Sequence, residues 1–107
     1  MANFQHLSVS ELVTRLETGS VRLVDIRDPH AYAAGRIPAA TLLDSESAPD
    51  FIAQTPPTQP IVVCCYHGIS SQSAAAFLAS QGFETVYSLD GGFCAWEDTY
   101  PERIERG

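Results

Sequence analysis

The stretch that decides the fold is residues 61–71, which read Ile-Val-Val-Cys-Cys-Tyr-His-Gly-Ile-Ser-Ser. Its first four residues form an unbroken apolar run, which is typical of a strand buried on both faces of a sheet. The two serines at its end favour the start of a helix, and Gly68 gives the connecting loop conformational freedom. The stretch therefore predicts a strand, a tight loop and a helix, in that order.

Short strands and short helices alternate on both sides of this stretch. Strands are predicted at 21–24, 41–43, 61–64 and 83–89. Helices are predicted after Ser8, at 29–34, at 47–54, from Ser70 and after Gly91. The helix after the loop is expected to turn four side chains inward, namely Ala74, Ala75, Phe77 and Leu78. Alternation of this kind predicts an α/β fold with a parallel sheet covered by helices on both faces.

Size and charge restrict the class of protein. The chain has 107 residues, which predicts one domain spanning 1–107. It carries 13 acidic residues against 6 basic ones and a net charge of −7, so neither nucleic acid nor an anionic membrane is expected as a partner. No apolar run approaches the roughly 18 residues that a membrane span needs, and no secretory signal is visible.

The three cysteines lack the spacing of a zinc site, so no metal is predicted. They also form an odd set, and two of them, Cys64 and Cys65, are adjacent, where a mutual disulfide would be strained. Reduced thiols in a cytoplasmic protein are therefore expected. Because side chains alternate along a strand, Cys64 is predicted to point away from Cys65 and to be buried and inert.

Cys65 is the candidate nucleophile. It stands between a buried strand and a helix N-terminus, at the sheet edge where ligands of α/β proteins collect. The N–H groups of a curled loop can converge on one point there, and the helix dipole adds positive potential. Both effects favour thiolate over thiol, so the Cys65 thiol is predicted to ionise more readily than an ordinary cysteine. The same N–H groups can stabilise a negatively charged adduct on its sulfur.

Three segments together resemble the rhodanese family, and in particular its GlpE-type single-domain thiosulfate sulfurtransferases. The first is residues 24–38, with Val-Asp-Ile-Arg at its start and Gly-Arg-Ile-Pro at its end. The second is the loop at 65–70, and the third is residues 87–96, which read Tyr-Ser-Leu-Asp-Gly-Gly-Phe-Cys-Ala-Trp. The three lie in the family's order. The resemblance implies a rhodanese-like fold with a five-stranded, mostly parallel sheet flanked by helices on both faces.

The resemblance also implies a reaction and a set of site residues. The Cys65 thiolate would take the sulfane sulfur of thiosulfate, release sulfite and become a persulfide. The persulfide would pass its outer sulfur to cyanide or to a thiol or dithiol acceptor such as thioredoxin, without a metal or organic cofactor. The substrate would be held by backbone N–H groups, with an added donor in the Ser70 hydroxyl; the expected binding residues are Tyr66, His67, Gly68, Ile69 and Ser70.

Other chemically capable side chains are predicted to have structural roles. Asp25 and Arg27 are expected to form an ion pair that fixes a loop, because an arginine fork matches a carboxylate. Phe93 and Trp96 are expected in the core. His67 is expected to shape the loop or to face the acceptor, since sulfite leaves without needing a proton.

Three alternatives remain open at this point. A sulfur-relay protein would receive persulfide sulfur from a protein donor, because fold and loop alone do not fix the substrate. A cysteine phosphatase or arsenate reductase of related fold would carry arginine at the seventh loop position, where this chain has Ser71. A non-catalytic rhodanese-like module would usually lack the cysteine that is present here at position 65.

The chain departs from the family pattern in ways that lead to a prediction. Arg36 stands where the family often has histidine, and Cys94, which has no assigned role, lies inside the third segment. Many family loops carry a cationic residue, whereas this loop offers only His67 and the polar Tyr66. Because backbone donors must do most of the anion binding, we expect weak thiosulfate affinity. Steady-state kinetics that saturate at low thiosulfate concentration would contradict this expectation.

Overall fold

The computed structural model describes residues 3–107, and its elements alternate between strand and helix along the chain. Within that range no helix combines the length and apolar character needed to cross a membrane. The elements are β1 (Gln5–Leu7), α1 (Val9–Thr18), β2 (Arg22–Asp25), α2 (Pro29–Ala34), β3 (Thr41–Leu42), α3 (Ala48–Gln54), β4 (Ile61–Cys64), α4 (Ser70–Ser80), β5 (Val86–Leu89) and α5 (Gly92–Thr99).

The five strands form one sheet in the order β1-β5-β4-β2-β3, and all four pairings between them are parallel. The predicted sheet is therefore confirmed, with β4 at its centre. At that position Val63 lies opposite Val24 on one side and Ser88 on the other. The carboxyl ends of β2, β4 and β5 consequently meet at one edge. Sequence reasoning located four of these strands and missed β1, a three-residue edge strand in which only Leu7 is buried.

Helices cover both faces of the sheet. One face packs against α1 and α5, with Leu12, Phe93 and Trp96 in its core, as predicted for the two aromatic residues. The other face packs against α3 and α4. The expectation that Phe77 turns inward is wrong, because its side chain is 51% exposed. Successive helical residues are about 100° apart, so once Leu78 faces the sheet its neighbour Phe77 turns toward solvent.

The predicted helix caps are present. The Ser8 side chain accepts a hydrogen bond from the Glu11 N–H, and the Glu11 carboxylate accepts one from the Ser8 N–H, which completes a capping box at the start of α1. The same helix ends at Gly19 in the left-handed conformation, with φ at 67°. Asp28 caps α2 by accepting from the Ala31 N–H at 2.9 Å. Local sequence signals therefore set the ends of these two helices.

The expected ion pair between Asp25 and Arg27 is confirmed at the carboxyl end of β2. Both side chains are buried, and Nη2 of Arg27 lies 2.7 Å from Oδ2 of Asp25. Nη2 also donates to the Gly35 carbonyl oxygen at 2.7 Å, which ties the end of β2 to the end of α2. Burial alone would lower the pKa of the Arg27 guanidinium, but the hydrogen bonds and charge of Asp25 outweigh it and raise that pKa.

Arg27→Ala is expected to lower the free energy of unfolding by about 3–5 kcal/mol, because it leaves the buried Asp25 carboxylate unpaired. The matched control is Glu17→Gln, which removes an exposed ion pair to Arg103 at 3.9 Å and is expected to cost about 1 kcal/mol or less. Urea unfolding followed by circular dichroism measures both. Equal losses in the two variants would show that the buried pair does not brace the fold.

Candidate active site

The candidate active-site loop leaves the centre of the sheet and is anchored by the first turn of α5. Cys65 follows directly after β4, and its carbonyl oxygen accepts the Phe93 N–H at 2.7 Å. The next carbonyl, that of Tyr66, accepts the Cys94 N–H at 3.0 Å. Gly92 makes this approach possible, because a Cβ atom there would collide with the Cys65 and Tyr66 carbonyl groups. The loop is therefore fixed by backbone contacts from a neighbouring element.

The Cys65 sulfur lies among several hydrogen-bond donors. The Gly68 N–H donates to it at 3.1 Å and the Ser71 N–H at 3.3 Å, while Oγ of Ser71 is 3.2 Å away. Burial alone would raise the pKa of the Cys65 thiol, but hydrogen bonds from the Ser71 hydroxyl and from the backbone of Ser71, Gly68 and His67 outweigh it and lower that pKa. The arrangement can hold an anionic sulfur inside a residue that is only 4% exposed.

Gly68 has a conformation and a packing that favour glycine. Its φ of 83° lies in the left-handed region. A Cβ atom at this position would come within 2.7 Å of the Gly91 nitrogen and 3.0 Å of the Leu89 carbonyl oxygen. Any side chain would therefore push the loop away from the end of β5 and displace the N–H that donates to Cys65. The positive φ of Gly68, which its expected conformational freedom allows, thus places its N–H where it donates to the Cys65 sulfur.

The other predicted binding residues bring no side-chain hydrogen bond to the sulfur among the residues that the structure describes. Tyr66 is 42% exposed and its hydroxyl donates to Oδ2 of Asp28 at 2.8 Å. His67 and Ser70 are exposed, and Ile69 is 74% exposed. Within residues 3–107 no hydrogen bond joins the Ser70 hydroxyl to the Cys65 sulfur. The structure thus brings Gly68 to the sulfur and leaves the side chains of the remaining four at the rim.

Ser71 is the residue at the sulfur that sequence reasoning missed. The sequence pattern marks it only as a helix residue and as a position lacking arginine, yet it is fully buried and contacts the Cys65 sulfur with both its N–H and its hydroxyl. A signal was available, because the first turn of a helix has N–H groups with no partner inside the helix. Since Ser71 lies one residue further into α4 than Ser70, it faces the sheet rather than solvent.

The remaining cysteines are placed away from this group of donors. Cys64 is fully buried, as its position on the strand predicts, and burial raises the pKa of its thiol. Cys94 is half-buried on α5. No cluster of three or more histidine, cysteine, aspartate or glutamate side chains that could hold a metal ion occurs within the described part of the chain.

Arg36, at the position where the family often has histidine, contacts the C-terminal segment. Its Nη1 donates to the Gly107 carbonyl oxygen at 3.0 Å.

Comparison with known proteins agrees with this geometry. The family model for the rhodanese-like domain matches residues 8–99, and the chain therefore belongs to the rhodanese family. It is 52% identical over 98 residues to the thiosulfate sulfurtransferase GlpE of Shewanella oneidensis, a match covering 92% of this chain and 97% of that protein. It is 50% identical over 107 residues to the protein of the same name from Pseudomonas entomophila, covering 100% and 97% of the two chains.

Solved structures show the same fold. A crystal structure of a rhodanese-like domain protein from Staphylococcus aureus matches with a TM-score of 0.81 and 28% identity, over 97% of this chain and 99% of that one. A solution structure of a rhodanese-like domain from Anabaena sp. matches with a TM-score of 0.84 and 26% identity, over 98% and 81% of the two chains. The rhodanese-like architecture implied by the three sequence segments is thus confirmed.

The alkylation rate of Cys65 is expected to rise with pH and to level off with a midpoint below the ordinary cysteine value of about 8.5. The sign follows from the lowered pKa, because the reactive thiolate is then populated at a lower pH than in a free cysteine. Iodoacetamide labelling followed by peptide mass mapping measures each cysteine separately. Cys64 serves as the internal control and should stay unlabelled, and a Cys65 midpoint at or above 8.5 would contradict the prediction.

Proposed function

We propose that the protein is a thiosulfate sulfurtransferase in which Cys65 is the nucleophile and carries the transferred sulfur. The observation that carries this proposal is the convergence of the Gly68 N–H, the Ser71 N–H and the Ser71 hydroxyl on the Cys65 sulfur. Family membership supports the same conclusion, since relatives about 50% identical over nearly the whole chain are called thiosulfate sulfurtransferase. Chemistry of this kind passes through a covalent intermediate and needs no metal ion.

In the proposed first step the Cys65 thiolate attacks the outer, sulfane sulfur of thiosulfate. A new S–S bond forms to Cys65, and the S–S bond of thiosulfate breaks with its electron pair leaving on sulfite. One negative charge stays on the outer sulfur of the resulting persulfide, and two leave with sulfite. The backbone N–H groups of residues 66–70 are proposed to bind the incoming anion and then the outer sulfur, as preorganised donors do at other anionic intermediates.

In the proposed second step a nucleophile removes the outer sulfur and restores the Cys65 thiolate. Cyanide leaves as thiocyanate, and a thiolate leaves as a persulfide of its own. We propose a thiol or dithiol such as thioredoxin as the acceptor in the cell, because the exposed side chains of Tyr66 and Ile69 project from the loop, where they can contact a protein surface. All three cysteines are free thiols, which supports a reducing, cytoplasmic setting.

The phosphatase alternative is disfavoured by the position of Ser71. A phosphate-binding loop would place an arginine there to clamp a tetrahedral oxyanion from two sides. In this protein the side chain at that position is a buried hydroxyl 3.2 Å from the sulfur. The site is therefore arranged around the cysteine itself rather than around an oxyanion above it. Hydrolysis of p-nitrophenyl phosphate by the purified protein would argue for the alternative.

Incubation with thiosulfate, in the absence of reductant, is expected to add the mass of one sulfur atom to the protein, and addition of cyanide should remove it as thiocyanate. Cys65→Ser should abolish both the mass gain and thiosulfate:cyanide activity, because the serine hydroxyl is a poor nucleophile at neutral pH. Cys94→Ser is the matched control and should retain both. Intact-mass spectrometry and thiocyanate formation measure these outcomes. A mass gain that survives in Cys65→Ser would refute the proposed carrier.

A further inference from the structure

A second buried hydroxyl lies behind Ser71. Ser88 is in the middle of β5 and is fully buried, and its Oγ is 2.7 Å from Oγ of Ser71. Ser71 is itself fully buried, with its Oγ 3.2 Å from the Cys65 sulfur. The three side chains therefore form a continuous row from β5, the strand beside β4, to the Cys65 sulfur. Within residues 3–107 the Ser88 hydroxyl has no other hydrogen-bond partner.

We propose that Ser88 is a positioning residue for sulfur transfer, which holds the Ser71 hydroxyl in the orientation that donates to the Cys65 thiolate. The proposal rests on the proposed function for its biological meaning, since it concerns the same sulfur. Ser88 does not touch the sulfur and acts only through Ser71. The register of the sheet fixes its place, because Ser88 lies opposite Val63, two residues before Cys65.

The direction of the hydroxyl protons follows from counting donors and acceptors. A serine hydroxyl has one proton to donate and can accept two hydrogen bonds. When the sulfur is negative it can only accept, so Ser71 donates to it and is then free to accept from Ser88. In that arrangement both buried hydroxyl protons have an acceptor, which buried polar groups require. When the sulfur carries its proton and donates to Ser71, one hydroxyl proton is left without a partner.

Ser88 stabilises the hydrogen bond from the Ser71 hydroxyl to the Cys65 sulfur in two ways. A hydroxyl that accepts a hydrogen bond becomes a better donor, so Ser88 strengthens the bond from Ser71 to the sulfur. A serine near a helix N-terminus can also turn its hydroxyl onto a carbonyl oxygen of its own helix or of the preceding loop. The contact with Ser88 is lost if Ser71 turns away, and it therefore favours the rotamer that faces Cys65.

Ionisable groups on the surrounding elements act equally on all the variants needed to test this. They are Cys64 on β4, the Asp25–Arg27 pair at the end of β2, Tyr66 and His67 in the loop, Asp90 after β5 and Cys94 on α5. None of them is changed by a substitution at position 71 or 88. A difference between variants in the pH profile of Cys65 labelling therefore measures the effect of removing the Ser71 or Ser88 hydroxyl.

The experiment measures the rate of iodoacetamide labelling at Cys65 against pH in the full chain without thiosulfate, so that it reports the resting thiolate independently of sulfur transfer. Ser71→Ala is expected to lower the rate near neutral pH about tenfold, because it removes a hydrogen bond to a charged group. Ser88→Ala is expected to lower it about threefold. The variant with both changes should match Ser71→Ala alone, since Ser88 acts through Ser71.

Two further comparisons separate positioning from a loss of folding. Thr and Val have nearly the same shape, so S88T should keep the wild-type profile while S88V behaves like S88A, even if the extra methyl group lowers stability. The control S80A removes an exposed hydroxyl at the far end of α4 and should leave the profile unchanged. The proposal would be overturned if S88T and S88V had equal pH profiles of labelling. It would also be overturned if the loss of labelling rate in S88A added fully to the loss in S71A when the two changes are combined. Such a result would leave the proposed function untouched, because that is tested by the mass gain at Cys65.

Discussion

A negatively charged sulfur inside a nearly buried residue must be matched by hydrogen-bond donors, and this requirement governs the carboxyl edge of the sheet. Water cannot supply those donors at a residue that is 4% exposed, so the chain supplies them from Gly68 and Ser71. Desolvation works against the thiolate and the donors work for it, and the net effect is the lowered pKa of Cys65. Without these donors, burial would leave Cys65 as inert as its neighbour Cys64.

Two buried groups at neighbouring strand ends, the Asp25 carboxylate and the Cys65 sulfur, are stabilised by different means. At the end of β2 the Asp25 carboxylate is neutralised by a guanidinium, which gives a rigid brace with no reactivity. At the end of β4 the Cys65 sulfur is met by neutral dipoles, which stabilise its charge without forming an ion pair. The second solution leaves the charge on the sulfur itself, where an electron pair is available for attack on a substrate.

The sequence allowed most of the fold to be predicted, since the signals are local. The apolar run at 61–64 and the caps at Ser8 and Asp28 each depend on residues within a few positions of one another. The failures depend on tertiary packing instead. Strand β1 is too short to show a pattern, and its place in the sheet is set by its pairing with β5. The burial of Ser71 rather than Ser70, and of Leu78 rather than Phe77, depends on how α4 is rotated against the sheet, and the apolar pattern used here does not distinguish these neighbours.

The neutral character of the site has a consequence for what it binds. A phosphate-binding loop with a terminal arginine offers a full positive charge to a doubly charged oxyanion, whereas Ser71 and Ser88 offer only hydroxyl dipoles. Dipoles of this number and size can balance the single charge of a thiolate or a persulfide, and they leave much of the charge of a dianion unmatched. The site should therefore stabilise the proposed persulfide more than it attracts thiosulfate. Weak binding of the substrate does not by itself slow the reaction, because only interactions that are stronger in the transition state than in the ground state accelerate the chemical step.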